Sequence, residues 1–198
     1  MPIPYEQAYR DAEAFSVGLG LLNRRADIVH GPASARCINP DADQAFAALL
    51  LRTLGEPPEI MRLARQCLRV HSVLAPDVAA IVGVTPMLTV GNVCLGADLK
   101  AYHVTQDDIV RWVERGPDDP YTADFHAWLT LPSMEIIDFT LLATISYIER
   151  HKTDNRIEFG VIAKHYTELR GLDYEPIAVG GPGLLERLGF STAIVLRL

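Results

Sequence analysis

What this chain has little of narrows the field first. It carries three cysteines, Cys37, Cys67 and Cys94. The number is odd, and the spacings match neither a zinc site nor a disulfide framework. His103, His151 and His165 form no ligand spacing with one another, so no metal and no other cofactor is expected. Positive charge is scarce as well. Lys and Arg number 18 against 25 Asp and Glu, a formal net charge of -7. The basic residues are scattered, and a nucleic-acid partner, which calls for a basic stripe, is not expected. No apolar run reaches the roughly 20 residues of a membrane span, so no membrane partner is expected. The N-terminal stretch lacks the basic start and apolar core of a secretory signal, which makes the cytoplasm the expected location. No repeat and no low-complexity segment is present.

What is present is ordinary globular material. Of 198 residues, 49% are apolar and 22% charged, enough for one domain over 1–198 with a sizeable core. Helical spacing of apolar residues predicts a helix from residue 5 to about 25 and a second after Asp41 or Asp43, stopped by Gly55. A third is predicted to open at Glu56-Pro57-Pro58 and to break near Ala75, before Pro76. Residues 1–56 thus read as a helical N-terminal extension. A β-branched stretch over 84–95 predicts a strand, with Pro86 at its start. A short capped helix follows over 105–114. Residues 125–131 and 135–141 read as two strands of a hairpin around Ser133. Helices are predicted over 141–150, 157–169 and 184–190, with strands over 174–181 and 192–198. Gly180-Gly181-Pro182-Gly183 lacks the Lys-Ser/Thr ending of a phosphate loop and reads as a turn. Helices first, then strands, then a mixed tail predict an α+β fold with helices packed on an antiparallel sheet.

Three residues carry the chemistry. Cys67 is on a helix, His126 on the first hairpin strand and Asp138 on the second. A thiol becomes a good nucleophile when a histidine takes its proton, and a helix N-terminus favours the thiolate. A carboxylate then holds the imidazole in the right tautomer. If the hairpin centres on Ser133, Thr130 faces Ile136. His126 and Asp138 then lie diagonally on one face, at roughly 7–8 Å between backbones. A turn centred elsewhere puts them on opposite faces. An aspartate inside an apolar strand also needs a partner. Cys37, beside Asn39-Pro40-Asp41, is an alternative nucleophile. His71, four residues after Cys67, shares its helix face and could pair with it.

These residues, in this order, resemble the transglutaminase-like and papain-like superfamily of cysteine hydrolases. Gln66-Cys67 resembles the start of its cysteine helix, His126-Ala127-Trp128 its histidine strand and Asp138-Phe139-Thr140 its aspartate strand end. The resemblance covers about residues 57–140. It implies a papain/transglutaminase-like fold and a Cys67-His126-Asp138 triad acting on an amide, peptide or small ester substrate. Gln66 and Trp128 would then line the oxyanion site or the cleft. Hydrolysis is the expected outcome, with acyl transfer to an amine left open.

Two departures favour an inactive binding or regulatory module on the same fold. Leu68 stands where transglutaminases often carry tryptophan. The predicted helix also places Cys67 well inside it, away from the favourable end of the dipole. A small-molecule binding protein, with a large apolar pocket, is a further alternative.

Overall fold

The computed structural model describes residues 4–23, 36–39, 41–54, 63, 66–96, 99–119, 123–149 and 160–190. Its helices are α1 (Tyr5–Gly18), α2 (Ala42–Leu54), α3 (Cys67–Val82), α4 (Gln106–Arg115), α5 (Leu141–Glu149) and α6 (Leu184–Arg187). Its strands are β1 (Met87–Leu95), β2 (Leu99–Lys100), β3 (His126–Thr130), β4 (Glu135–Asp138), β5 (Ile162–His165) and β6 (Leu172–Gly180). The six strands form one sheet whose pairings are all antiparallel. β6 runs along one edge of β1, while β3 and then β2 share the other. β4 and β5 continue outward from β3. The fold is α+β, as the element pattern predicts.

Side chains alternate across the strands and give the sheet two apolar faces. Leu88, Val90, Ala127, Leu129 and Ile137 point to one face and pack with Phe46 and Leu50 of α2 and with Leu68, Leu74 and Val78 of α3. Met87, Val93, Trp128, Ile136 and Val179 point to the other, beneath Tyr5, Tyr9 and Ala12 of α1. The N-terminal helix is therefore part of the core and not an appended extension. It is pinned by polar contacts too. The Trp128 indole N–H donates to the Tyr5 hydroxyl at 2.9 Å. That hydroxyl meets Thr130 at 2.7 Å, and Thr130 meets Thr89 at 2.8 Å. At the sheet edge the Val179 N–H donates to Ser16 Oγ at 2.8 Å.

Two elements differ from the sequence expectation. α3 begins at Cys67, with Gln66 as N-cap, and runs through Pro76 to Val82. An interior proline costs a helix about 3 kcal/mol. Here Pro76 is exposed, and Leu74, Ala75 and Val78 around it are buried against the sheet and α2. Packing outweighs the lost backbone bond. Gly83, with φ 75°, then ends the helix. The second difference is at 162–165, where an amphipathic helix is expected and β5 is found. The open edge of β4 pairs with it, from Glu135 opposite His165 to Asp138 opposite Ile162, and tertiary pairing overrides local periodicity. The predicted helix opening at 56–58 and the predicted strand over 192–198 lie outside the described residues. Among the described residues no helix is long and apolar enough to cross a membrane.

A bulge places one further side chain. β6 skips Ile177 in its pairing with β1, so Gly91 faces Pro176 while Val90 faces Ala178. The extra residue reverses the alternation, and Tyr174 and Val179 thereby reach the same face. Gly91 makes this possible. A Cβ there would sit 2.0 Å from the Glu175 carbonyl oxygen and 3.0 Å from the Trp128 ring. Gly91→Ala is expected to destabilise the protein by about 1–3 kcal/mol or more, since backbone must shift. Gly18→Ala, with nothing within 4 Å, is expected to be neutral or stabilising by up to about 1 kcal/mol. Urea unfolding of both variants checks the contrast.

Candidate active site

The β3–β4 hairpin decides which side chains can meet. Leu131, Pro132, Ser133 and Met134 make the turn, with Met134 at φ 62° and its N–H donating to the Leu131 carbonyl at 2.8 Å. A left-handed residue closing a type I turn is a common three-residue hairpin geometry. The register follows: Thr130 faces Ile136 and Leu129 faces Ile137. Trp128 is thus opposite Asp138, and His126 is its diagonal neighbour on the same face.

The diagonal is closed by a hydrogen bond. His126 Nε2–H donates to Asp138 Oδ2 at 2.6 Å, and both side chains are fully buried. Asp138 sits at the last position of β4, where the chain turns into α5. Its Oδ1 accepts the N–H groups of Thr140 at 2.9 Å and Leu141 at 3.0 Å, and the Thr140 hydroxyl at 3.2 Å. Its Oδ2 also accepts the Tyr174 hydroxyl at 2.9 Å. One buried carboxylate is thus met by five donors, two of them at the N-terminus of a helix, where negative charge is favoured.

Electrostatics follow from this geometry. Burial alone would keep Asp138 neutral, but the charge and hydrogen bond of His126, with the Thr140 N–H, hold it well below the usual carboxylate range. Burial opposes a charged His126 as well. The Asp138 charge and hydrogen bond, with the Cys67 sulfur beside the ring, outweigh it and raise His126 to about 10. Tyr174, buried against the same negative charge, is pushed well above the phenol range and remains a donor.

Cys67 is the first residue of α3, the helix end where N–H groups lack intrahelical partners. This corrects the placement of Cys67 inside its helix. Cys67 is 8% exposed, and its thiol points at the Phe125 carbonyl oxygen at 3.9 Å, next to His126 in the chain. The thiol is beside the imidazole, whose Nδ1 is buried and makes no hydrogen bond of full geometry. Tyr102 stacks on that ring, with centroids 5.1 Å apart and planes at 21°.

His71 also belongs here. It lies one turn into α3, fully buried, with Nε2 3.6 Å from Asp138 Oδ1. Burial pushes it down to about 4, against the pull of Asp138 and with the repulsion of His126.

The remaining sequence candidates are elsewhere. Trp128 is not a cleft wall: it is fully buried beneath α1 and bonded to Tyr5. Gln66 is a half-buried N-cap whose side chain makes no capping bond, so no oxyanion role is visible for it. Cys37 lies far along the sheet, before α2, and its N–H donates to the Glu135 carboxylate at 2.7 Å. Among the described residues no imidazole is bonded to its thiol. Tyr102 and Tyr174 carried no sequence signal. Each reaches the site from a distant segment, Tyr174 only through the β6 bulge. Among the described residues no group of His, Cys, Asp and Glu has the arrangement of a metal site.

Two surface cavities, of about 320 and 350 Å³, lie away from these residues, one between α2 and β5 and one along α4. Neither touches Cys67 or His126. Chemistry, not cavity size, therefore locates the candidate site. Comparison with family models, curated proteins and solved structures finds no match for this chain.

The two histidines set how stability varies with pH. The contribution of His126 is complete below its unfolded value near 6.5 and is lost as pH rises through about 10. His71 is neutral when folded, so stability falls as pH drops from about 6.5 to about 4, where the unfolded chain takes the proton first. Stability is therefore expected to peak near about pH 6.5. Urea midpoints across pH test this, and His126→Gln is expected to remove the alkaline limb. An alkaline limb unchanged in that variant contradicts the assignment.

Proposed function

We propose that the chain is a cysteine-dependent acyl-transfer enzyme of the papain/transglutaminase-like kind, hydrolysing an amide, peptide or ester bond. One observation carries the proposal: a buried Asp138–His126 pair stands beside a cysteine that opens a helix, with the second imidazole nitrogen unpartnered. A structural histidine in a core satisfies both nitrogens, as His71 does. His126 has one nitrogen fixed by Asp138 and keeps the other available for proton exchange.

The steps follow from that arrangement. The Cys67 sulfur, its proton already held on His126 Nδ1, attacks the carbonyl carbon. The charge developing on the carbonyl oxygen faces the first-turn N–H groups of α3, that of Cys67 foremost. The tetrahedral intermediate breaks as His126 returns the proton to the leaving amine or alkoxide, and a thioester remains. Water then attacks with its proton passing to His126, the C–S bond breaks, and the proton stays on His126 beside the freed sulfur. Asp138 holds the Nε2–H tautomer throughout and balances the imidazolium. Its own five donors keep it from rotating away.

A second reading is favoured by the closure of the site. His126 and Asp138 are fully buried, and neither cavity reaches Cys67. A non-catalytic binding module on this fold needs no open path to the thiol.

Alkylation separates the two. Iodoacetamide at about pH 6, below the free-thiol range near 8.5, is expected to label Cys67 ahead of Cys37 and Cys94, with mass spectrometry locating the adduct. His126→Ala is expected to lower the Cys67 rate by roughly 10²–10⁴-fold, the usual value of a positioned base. Cys67 that labels no faster than the other two cysteines, or equally fast without His126, defeats the catalytic proposal and leaves the binding module.

A further inference from the structure

His71 makes two hydrogen bonds whose directions are not interchangeable. Its Nδ1 is 2.6 Å from the Cys67 carbonyl oxygen. A carbonyl can only accept, so Nδ1 carries the hydrogen. Its Nε2 accepts the Phe139 N–H at 3.0 Å. A backbone amide can only donate, so Nε2 has none. The ring is therefore a neutral Nδ1–H tautomer, and the assignment follows from its partners rather than from a choice of protonation.

Those two bonds join the two halves of the candidate site. Cys67 and His71 are four apart on α3, so the ring folds back over the first turn of the helix. Phe139 follows Asp138, the residue that fixes His126. A chain of contacts results, from Cys67 through His71 to the strand end at Asp138-Phe139 and on to His126, whose ring lies beside the sulfur. The start of α3 packs into the core through Cys67, Leu68 and Val70. Its N-cap, Gln66, makes no side-chain capping bond.

We infer that His71 is a positioning residue for Cys67. Its Nδ1–H grips the carbonyl of that residue, and its Nε2 grips the strand that carries Asp138. Together they set the sulfur against His126. The inference rests on Cys67 being the nucleophile proposed above. It goes beyond that reading because a triad alone does not say what sets the distance between a helix and a hairpin.

The surroundings agree with a neutral linker. Asp138 Oδ1 lies 3.6 Å from Nε2 and favours a charged ring. A proton on Nε2 would, however, face the Phe139 N–H and leave that donor without an acceptor. The charged His126 lies on the other side of the same carboxylate and repels a second cation. Cys67 and Phe139 otherwise offer the ring only backbone groups, and the aromatic neighbour is Phe139 itself, 5.7 Å away.

Two variants separate positioning from simple core filling. His71→Asn keeps a donor near the place of Nδ1 but loses the acceptor for Phe139. His71→Gln keeps an acceptor near the place of Nε2 but loses the donor to Cys67. Iodoacetamide rates at Cys67 are measured at about pH 6 and about pH 9, either side of the free-thiol value, with thermal midpoints in parallel. His71→Gln is expected to slow Cys67 by roughly 10–100-fold, the scale of a small misplacement of a reacting group. It is also expected to lower the ratio of the acid rate to the alkaline rate. His71→Asn is expected to restore both toward wild type, although both variants lose thermal stability. Equal rates in the two variants, or slowing that simply follows their midpoints, overturns the inference. So does nitrogen NMR of the wild-type protein showing His71 as an Nε2–H tautomer or a cation near neutral pH, a measurement that needs no variant to fold. Wild-type Cys67 whose labelling ignores His126 is a different failure: it removes the catalytic reading, and the NMR result for His71 stands by itself.

Discussion

One buried negative charge organises this structure. Taking a carboxylate out of water costs several kcal/mol, and the cost is offset only where donors replace the lost hydration. Asp138 collects those donors from separate parts of the chain: the hairpin partner His126, the first residues of α5, and Tyr174 from β6. Each is held where it must be by something else. The turn at Ser133-Met134 sets the diagonal with His126, and the bulge opposite Gly91 turns Tyr174 inward. The position of the charge therefore constrains the hairpin register, the irregularity of β6 and the start of α5 together. A one-residue slip at any of them would leave a buried carboxylate with fewer bonds than it needs.

That constraint also explains which parts of the fold could be read from the chain. The hairpin was legible from period-two alternation and Pro132-Ser133 at the turn, while its register, open in the sequence, is fixed by the turn that closes at Met134. The capped helix α4 was legible for a similar reason. Thr105 and Asp108 form a reciprocal capping box, a local device that the sequence displays openly. The start of α3 was not legible, because apolar residues recur at helical spacing on both sides of Gln66, and periodicity cannot show where a helix begins. Nor was β5 legible: Ile162, Ala163 and Lys164 can serve a helix or a strand, and the open edge of β4 decides between them. Tyr174 was hidden for another reason. A bulge reverses the alternation by which a strand's facing is read, so the residue that bonds Asp138 lies on the face that simple alternation denies it.

The candidate site was legible as three residues and illegible as a network. Cys67, His126 and Asp138 announce themselves by type and order. What holds them is less plain: His71 shows only its spacing from Cys67, and Tyr102 and Tyr174 are ordinary core residues in the sequence that become partners only through packing. Trp128 shows the reverse error. It follows the histidine by two positions, so it shares the face of His126, but α1 covers that face and makes the tryptophan a core residue. The N-terminal helix, legible as a helix but not in what it covers, decided this. Its Tyr5 takes the Trp128 indole N–H and relays the bond to Thr130 and Thr89.

The two histidines beside Asp138 show how one carboxylate can support opposite protonation states. His126 gives Asp138 a hydrogen and accepts the charge that comes with it. His71 meets two backbone groups, one that must accept and one that must donate, and this pair of demands is satisfied only by a neutral ring. Environments that push two like groups apart are the usual means of dividing acid–base roles within one site. Here the division falls between a ring that can exchange a proton and a ring that cannot without breaking its own contacts. A core assembled for stability alone has no use for this arrangement, because apolar residues of similar volume would cost less to bury than an ion pair and a second imidazole. The buried polar network therefore argues for chemistry at Cys67. In the proposed reading His71 lends that chemistry rigidity rather than charge: it ties the sulfur's helix to the strand that carries the acid.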